Sequence, residues 1–314
     1  MPGLKSHRDL QLVDTVLTNL ARAYKPSGFI YNDVCARMTV TEDAGKYPIF
    51  DGFFDDDVDN KVADRAHTPE VDTSYSTDNY YCEDYRFKAS ITAKERRQAH
   101  SALRLEQAKL DTVLLRMAIR RERRLQALLR KTTNGGSLTL GAAAGVKWDQ
   151  ATATIEADIK TGKIAVYNAT GQVPDTLILP YEVAAAVAIQ EDIRQILQYT
   201  VNGQQILDQG EFILPAQLWG MKVLIPQGAM RNSAKEGGTR SLSDIWSDNV
   251  ILCKRAQNEA WGSPATVYSF SAKPEVVDRW KENDPPVEYV RAWECLDEKV
   301  TGPAMGYEIS DVLT

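Results

Sequence analysis

The hydrophobic pattern of the chain is organised around Leu103–Lys131, LRLEQAKLDTVLLRMAIRRERRLQALLRK, a run without Gly or Pro. At roughly 1.5 Å of rise per residue it predicts a single helix about 43 Å long. At about 100° per residue, Leu103, Leu110, Leu114, Met117, Ala118, Leu125 and Leu128 fall on one narrow side. Gln107 and Arg121 are the polar exceptions there. Turned away from that side, Lys109, Arg116, Arg120, Arg123 and Arg130 form a second, basic stripe. Glu106, Asp111 and Glu122 are the helix's only acids, so most of these cations lack an intrahelical partner. The stripe is either a solvated face or a surface offered to something outside the helix.

Upstream, Leu10, Val13, Val16, Leu17 and Leu20 keep helical spacing and predict a short amphipathic helix, broken at Pro26-Ser27-Gly28. An irregular arm follows to about Ala44. It either reaches onto a partner or packs on its own domain. From Lys46 to Ile91 two aromatic-rich runs, KYPIFDGFF and SYSTDNYYCEDYRFKASI, flank the polar segment DDDVDNKVADRAHTPEVD. Strand-forming aromatics on either side of an acidic tip predict a long two-stranded excursion. A two-stranded ribbon cannot cover its own aromatic faces and is marginal alone in water. Phe50, Phe53, Phe54, Tyr75, Tyr80 and Tyr81 therefore need a covering surface, and so long an excursion favours a neighbouring copy. Asp55, Asp56, Asp57 and Asp59 lack the Gly and Glu positions of a calcium loop, so they read as a solvated tip able to dock on cations.

Thr92-Ala93-Lys94-Glu95 has the form of a capping box, opening a lead-in to the long helix. Past Lys131, TTNGGSLTLGAAAG reads as a flexible Gly-rich connection without the Lys-Ser/Thr pair of a phosphate loop. Helical spacing resumes from Trp148 to Ala169. A short strand (Thr176–Leu179), an Ala-rich helix around 183–189 and another at 193–197 follow. FILP and MKVLIP read as strands, QGAMRNSAKEGGTRSLS as an exposed loop, and NVILCKRA, ATVYSFSA, VEYVRAWECLD and YEIS as strands. Strands and helices do not alternate regularly, so the class is α+β rather than doubly wound.

The chain has 314 residues, enough for one large domain or two ordinary ones. Its net charge of -6 disfavours general polyanion binding despite the local stripe. Cys35, Cys82, Cys253 and Cys295 lie far apart with no CxxC, which suits a reducing compartment and neither a disulfide framework nor zinc. The N-terminus is too charged for a signal peptide, and no run approaches the ~20 apolar residues of a membrane span. His7, His67 and His100 accompany no nucleophile, and neither HExxH nor GxSxG occurs. The expectation is a soluble protein that is not an enzyme, with no cofactor and no metal.

The order of elements (arm, aromatic ribbon, long spine helix, mixed half, returning strands) resembles the major capsid protein of tailed bacteriophages, the Hong Kong-phage capsid fold. KVADRAHTPEV with YSTDNYYCEDYRFKASITAKER is similar to that family's extended loop and the start of its spine helix. PDTLILPYEVAAAV resembles its axial core, and SLSDIWSDNVILC and RAWECLDEKVTGPAMGYEISDVL its closing strands. The resemblance implies an N-terminal arm at 1–45, an extended β-hairpin loop at 46–91, and a peripheral domain with the spine helix at 92–172. It also implies an axial domain at 173–265 and return strands of the peripheral domain at 266–314.

It further implies a structural protein that self-assembles, as hexamers and pentamers, into an icosahedral head around phage double-stranded DNA. That DNA would meet the inner face non-specifically. The head would be made in the bacterial host's cytoplasm, with a portal and, since the chain starts almost at the arm, a separate scaffolding protein. The expected inter-subunit surface is Phe50, Phe53, Phe54, Asp55, Asp56, Asp57, Asp59, Arg65, Tyr75, Tyr80 and Tyr81 against Lys109, Arg116, Arg120, Arg123 and Arg130. Reversing Arg120 or Arg124 to Glu is then expected to lower assembly yield and leave the monomer folded. The alternatives are an encapsulin-like nanocompartment shell, whose members are usually shorter, and a nucleic-acid-binding protein using the arginine-rich helix on phosphates.

Overall fold

The computed structural model describes residues 12–13, 17–19, 21, 28–50, 61–62, 67, 76–98, 102–198, 214–227, 230–232, 239, 241–256, 263–284 and 286–314. Near the N-terminus the expected helix is interrupted. Leu12–Val13 is a strand (β1) paired antiparallel with Arg279 and Asp278, because a neighbouring edge supplies backbone partners that outweigh local helical spacing. Leu17 and Ala21 are buried in the chain's own core, and Thr18 Oγ1 both donates to Val277 O and accepts from Val277 N. The arm is not irregular either. It forms a short helix α1 (Tyr31–Val34) and a strand β2 (Ala36–Thr39). Gly28, at φ 88°, enters it by close approach, since a Cβ there would sit 1.3 Å from the carbonyl oxygen of Gln227.

β3 (Ala44–Pro48) pairs antiparallel with β4 (Thr77–Tyr81), as the aromatic pattern predicts. The returning chain then leaves this pair: β5 (Glu83–Thr92) joins a larger sheet instead of extending the hairpin to Ile91. The capping box forms, with Thr92 N donating to Glu95 (2.9 Å) and Glu95 N to Thr92 Oγ1 (3.2 Å). It opens α2 (Ala93–Gln98), followed by the long helix α3 (Ala102–Leu128). The Gly-rich stretch after it is structured rather than a loose connection. Gly135 takes a left-handed turn at φ 81°, Leu138 is fully buried, and Leu140–Ala143 forms β6. The reason is Glu308, whose carboxylate accepts from Lys131 N (2.6 Å) and Asn134 Nδ2 (2.9 Å).

Then come α4 (Ile155–Thr170), β7 (Thr176–Ile178), α5 (Tyr181–Ile189), α6 (Glu191–Gln198), β8 (Gln217–Leu218) and β9 (Met221–Leu224). Trp148 precedes α4 rather than belonging to it, buried with its Nε1 donating to Asp158 (2.9 Å). Of FILP, Leu214 and Pro215 are not strand, and Phe212 and Ile213 lie outside the described residues. The expected loop after Gln227 contains a small pair, β10 (Met230–Asn232) with β11 (Leu242–Asp244). β12 (Val250–Cys253), β13 (Val267–Asn283), β14 (Pro286–Val300) and β15 (Gly306–Ser310) complete the chain; each contains an expected strand, but β13 continues past Ala272, where the expected strand ended, because its pairing with β14 runs on to Asn283 and Pro286.

Two sheets carry the fold. The first runs β1-β13-β14-β5, with β2 parallel to β13. α3 covers one of its faces, where Leu110, Val113, Leu114 and Met117 pack on Ile91, Val277, Val290 and Ala292. The second runs β6-β15-β12-β7-β9-β8, packed against α4 and α5 through Ile159, Val166, Val183 and Leu252. This pairing groups the chain differently from the expected boundaries. β6 and α4, placed at 92–172, and β15, placed at 266–314, belong with β7 and β12 of the expected axial segment. Hydrogen-bonded edges, not chain order, decide that grouping.

Candidate functional site

The long helix carries two lines of arginines with opposite fates. Arg121 and Arg124 point at the first sheet. Arg121 Nε donates to Glu294 (2.7 Å) and Nη2 to Glu275 (3.1 Å), and Glu294 is 1% exposed. Burial alone would depress the Arg121 guanidinium, but the two carboxylates raise it overall. Arg124 forks onto Glu298 (2.8 and 2.7 Å), a carboxylate that also accepts from Tyr31 Oη (3.1 Å). The Arg124 guanidinium lies 3.8 Å over the Tyr85 ring. Next to Arg121, Glu122 is fully buried and accepts from Trp246 Nε1 (2.8 Å), Ile30 N (3.3 Å) and Tyr31 N (3.0 Å). It ties the arm, the long helix and the loop after β11 at one point.

The expected basic stripe divides. Lys109 pairs with Glu95 (3.0 Å) and Arg130 with the buried Glu308 (3.3 Å), so both are satisfied inside the chain. Each has a partner within its own chain, while about a third of each side chain stays exposed (30% and 34%). Arg116 and Arg120 are exposed and Arg123 is half-buried, and none forms an ion pair among the described residues. Arg120 and Arg123 line an open groove of about 540 Å³ between α3 and β5, floored by Phe87, Met117 and Ala127. β5 is the outermost strand of its sheet. Its ten residues pair with β14 along one side and with no described strand along the other.

The expected aromatics divide as well. Phe50 is 4% exposed and packs with Tyr47 and Phe270 of its own chain, so its covering surface is internal, not a neighbour. Tyr80 is half-covered, stacked on Phe270 at 4.7 Å. Tyr81 stays 65% exposed. Phe53, Phe54, Asp55, Asp56, Asp57, Asp59, Arg65 and Tyr75 lie outside the described residues.

Arg121, Arg124, Glu122, Glu294 and Glu298 were not picked out as a set by the sequence. The available signal was Arg121's position on the apolar side, together with Glu294 and Glu298 on a strand whose alternate residues Val290 and Ala292 face inward. The opposite face of that sheet was missed too. There Lys88 lies 4.4 Å from the Tyr289 ring, and Arg86 and Lys273 flank Trp293 at 5.6 and 5.5 Å. Among the described residues no group of His, Cys, Asp and Glu is arranged to hold a metal ion. What the arrangement offers is an internally paired spine with, along one flank, a groove, a strand edge that pairs with no described strand, and arginines that form no ion pair among the described residues.

No protein-family model matches the chain. The major capsid protein of Burkholderia phage BcepMu is 23% identical over 311 residues, covering 96% of this chain and 97% of that protein. A crystal structure of a phage-related protein from Bordetella bronchiseptica RB50 superposes with a TM-score of 0.69 at 17% identity, over 96% of this chain and 98% of that one. The capsid of cyanophage P-SCSP1u gives 0.60 at 10% identity, over 91% and 89%. The α+β architecture is that of tailed-phage capsid proteins.

Proposed function

We infer that this chain is a phage major capsid protein, a structural subunit whose copies close into the shell of the head. The observation that carries this is the end-to-end likeness to one such protein, together with a fold shared with solved capsids. The shell encloses double-stranded DNA, touched non-specifically on the inner face, and is built from hexamers and pentamers in the host's cytoplasm. A separate scaffolding protein and a portal assist. The subunit works structurally, without catalysis.

The mechanism is interfacial. Residues 51–75 of one copy lie across the next, and Phe53 and Phe54 each contribute about 1.5–3 kcal/mol if fully buried. Asp55, Asp56, Asp57 and Asp59 meet Arg116, Arg120 and Arg123, which sets register more than affinity. Each copy is held by several neighbours at once, so individually weak contacts suffice for a closed shell. Arg65, Tyr75 and Tyr81 belong to the same surface.

Electron microscopy of the expressed protein, alone and with its genomic neighbours, tests this. The expected result is closed particles. A protein that stays monomeric at high concentration in both conditions overturns it. Particles loaded with a cargo enzyme would instead indicate a nanocompartment. Steeply salt-dependent DNA binding by the isolated protein would indicate that the arginines serve phosphates directly.

A further inference from the structure

We propose that the open face of the first sheet, the face turned away from α3, is a docking surface for an acidic helix of a protein other than the subunit itself. Val290 and Ala292 of β14 and Phe87 and Ala89 of β5 pack beneath α3, so Tyr289, Arg291 and Trp293, with Arg86 and Lys88, stand on the opposite side. All five are exposed or half-buried there. Aromatic rings hold the cations in place. Lys88 lies 4.4 Å from the Tyr289 ring and 5.8 Å from that of Trp280, while Arg86 and Lys273 lie 5.6 and 5.5 Å from the Trp293 ring. Arg86 and Arg291 also have carboxylate partners, Asp84 and Asp278. Lys88 and Lys273 form no ion pair among the described residues. Trp280 Nε1 donates to Glu282 (3.4 Å), but Trp293 Nε1 is buried without an acceptor. What the face lacks is two carboxylates and one hydrogen-bond acceptor.

Nucleic acid is the poorer fit. Trp280 and Tyr289 stack on each other at 5.2 Å and cations flank the rings, so they offer no platform for bases. Asp43, Glu83 and Asp84 border an open hollow of about 400 Å³ beside Trp293 and would repel a phosphate backbone. A folded protein can set carboxylates singly, opposite the two lysines. The dimensions select a helix. Three strand axes about 4.8 Å apart span about 10 Å, the width of one helix. Lys88 stands level with Arg291, and Lys273 level with Cys295, on the strands either side of β14. Four residues along β14 separate those levels, about 13–14 Å. Nine residues of helix rise about 13.5 Å and turn through about 180°, so acids at i and i+9 of a helix lying along β14 meet one lysine on each flank. No helix among the described residues carries acids nine positions apart, so a second copy does not supply this partner.

The test uses the full chain, as subunits and as particles. The probe is a labelled Ala-rich helical peptide of about 18 residues with Glu at i and i+9 and Leu on the side between them, followed by fluorescence anisotropy at low salt. Saturable binding is expected. It should weaken about tenfold or more for a peptide with Glu at i and i+7, which sets both acids on one flank, and for Lys88→Glu with Lys273→Glu. Trp293→Phe keeps the ring, removes the N–H and should weaken binding several-fold. Acetylating Lys88 and Lys273 in the wild-type protein should abolish binding, which tests the two cations without any substitution. Both lysines should acetylate as readily in particles as in subunits. Absence of binding overturns the site, as does binding that ignores the Glu spacing or the loss of the lysine charges. Tighter binding of a single-stranded or duplex oligonucleotide through the same lysines overturns the choice of partner. Protection of both lysines in particles would place a second copy on this face and overturn it too. Each of these outcomes leaves the shell-forming function standing, because particle formation is scored separately.

Discussion

Arg121 stands on the apolar side of the long helix, where an unpaired cation would lose several kcal/mol of hydration. Glu294 and Glu275 compensate, and Arg37 adds a longer contact to Glu294 at 3.7 Å. Replacing Arg121 with Ala leaves these buried carboxylates without their main cation, so unfolding should become easier by about 3–5 kcal/mol, read from denaturant midpoints. Glu122 is a different kind of anchor. Burial pushes its carboxyl up to about 7 from an ordinary 4.5, against the pull of the Trp246, Ile30 and Tyr31 donors, and nearby Asp244 adds to the rise. The folded state therefore holds this proton more tightly than the unfolded state does. Stability contributed at low pH is lost as pH climbs from about 4.5 to about 7. Compared with Glu122→Gln, the wild-type protein should weaken across that window in thermal unfolding curves recorded at several pH values. A flat difference would show that Glu122 keeps an ordinary affinity for its proton.

The long helix α3 separates tasks between adjacent positions. A step of one residue is about 100° of rotation, so Arg120 and Arg121 look in different directions, as do Arg123 and Arg124. Arg121 and Arg124 brace the helix to β13 and β14, while Arg120 and Arg123 line the groove without an ion pair among the described residues, and Arg124 borders that groove as well. The expectation that Arg124→Glu spares the monomer is therefore replaced. That change sets a carboxylate against Glu298, which is 5% exposed, and should cost toward the lower end of ~3–5 kcal/mol because Arg124 itself is part-exposed. Arg120→Glu should leave the subunit's thermal unfolding within about 0.5 kcal/mol of wild type. The two variants, compared by calorimetry and by particle count, separate bracing from association. β5 has the complementary double role. Its helix-side residues Phe87, Ala89 and Ile91 pack beneath α3, and its outer edge remains available.

At the scale of the whole molecule, α3 packs on the first sheet and α4 and α5 on the second, a third apolar cluster of Leu125, Leu129, Ile178, Ile251, Val267 and Val300 joins the two, and residues 51–75 connect β3 to β4 in the sequence. Replacing 51–75 with a short Gly-Ser turn should accordingly leave the subunit folded, with a near-native thermal midpoint, and abolish particles in electron micrographs. Loss of folding would mean that the segment completes its own subunit. The sequence by itself determined what local periodicity and turn chemistry can encode: the two-sided helix, the capping box at Thr92 and Glu95, the strands β12 to β15, and the order of elements that marks the capsid fold. Those signals repeat within a few residues, so they survive without any knowledge of the partner. Only the tertiary structure decided which cations are braces, that Phe50 is covered from within, that Lys131 and Asn134 at the start of the Gly-rich stretch are held on Glu308, and that β2 lies parallel to β13. Each depends on a partner far along the chain (Arg121 and Glu294 are 173 residues apart), and such a pairing exists only once both sheets have closed.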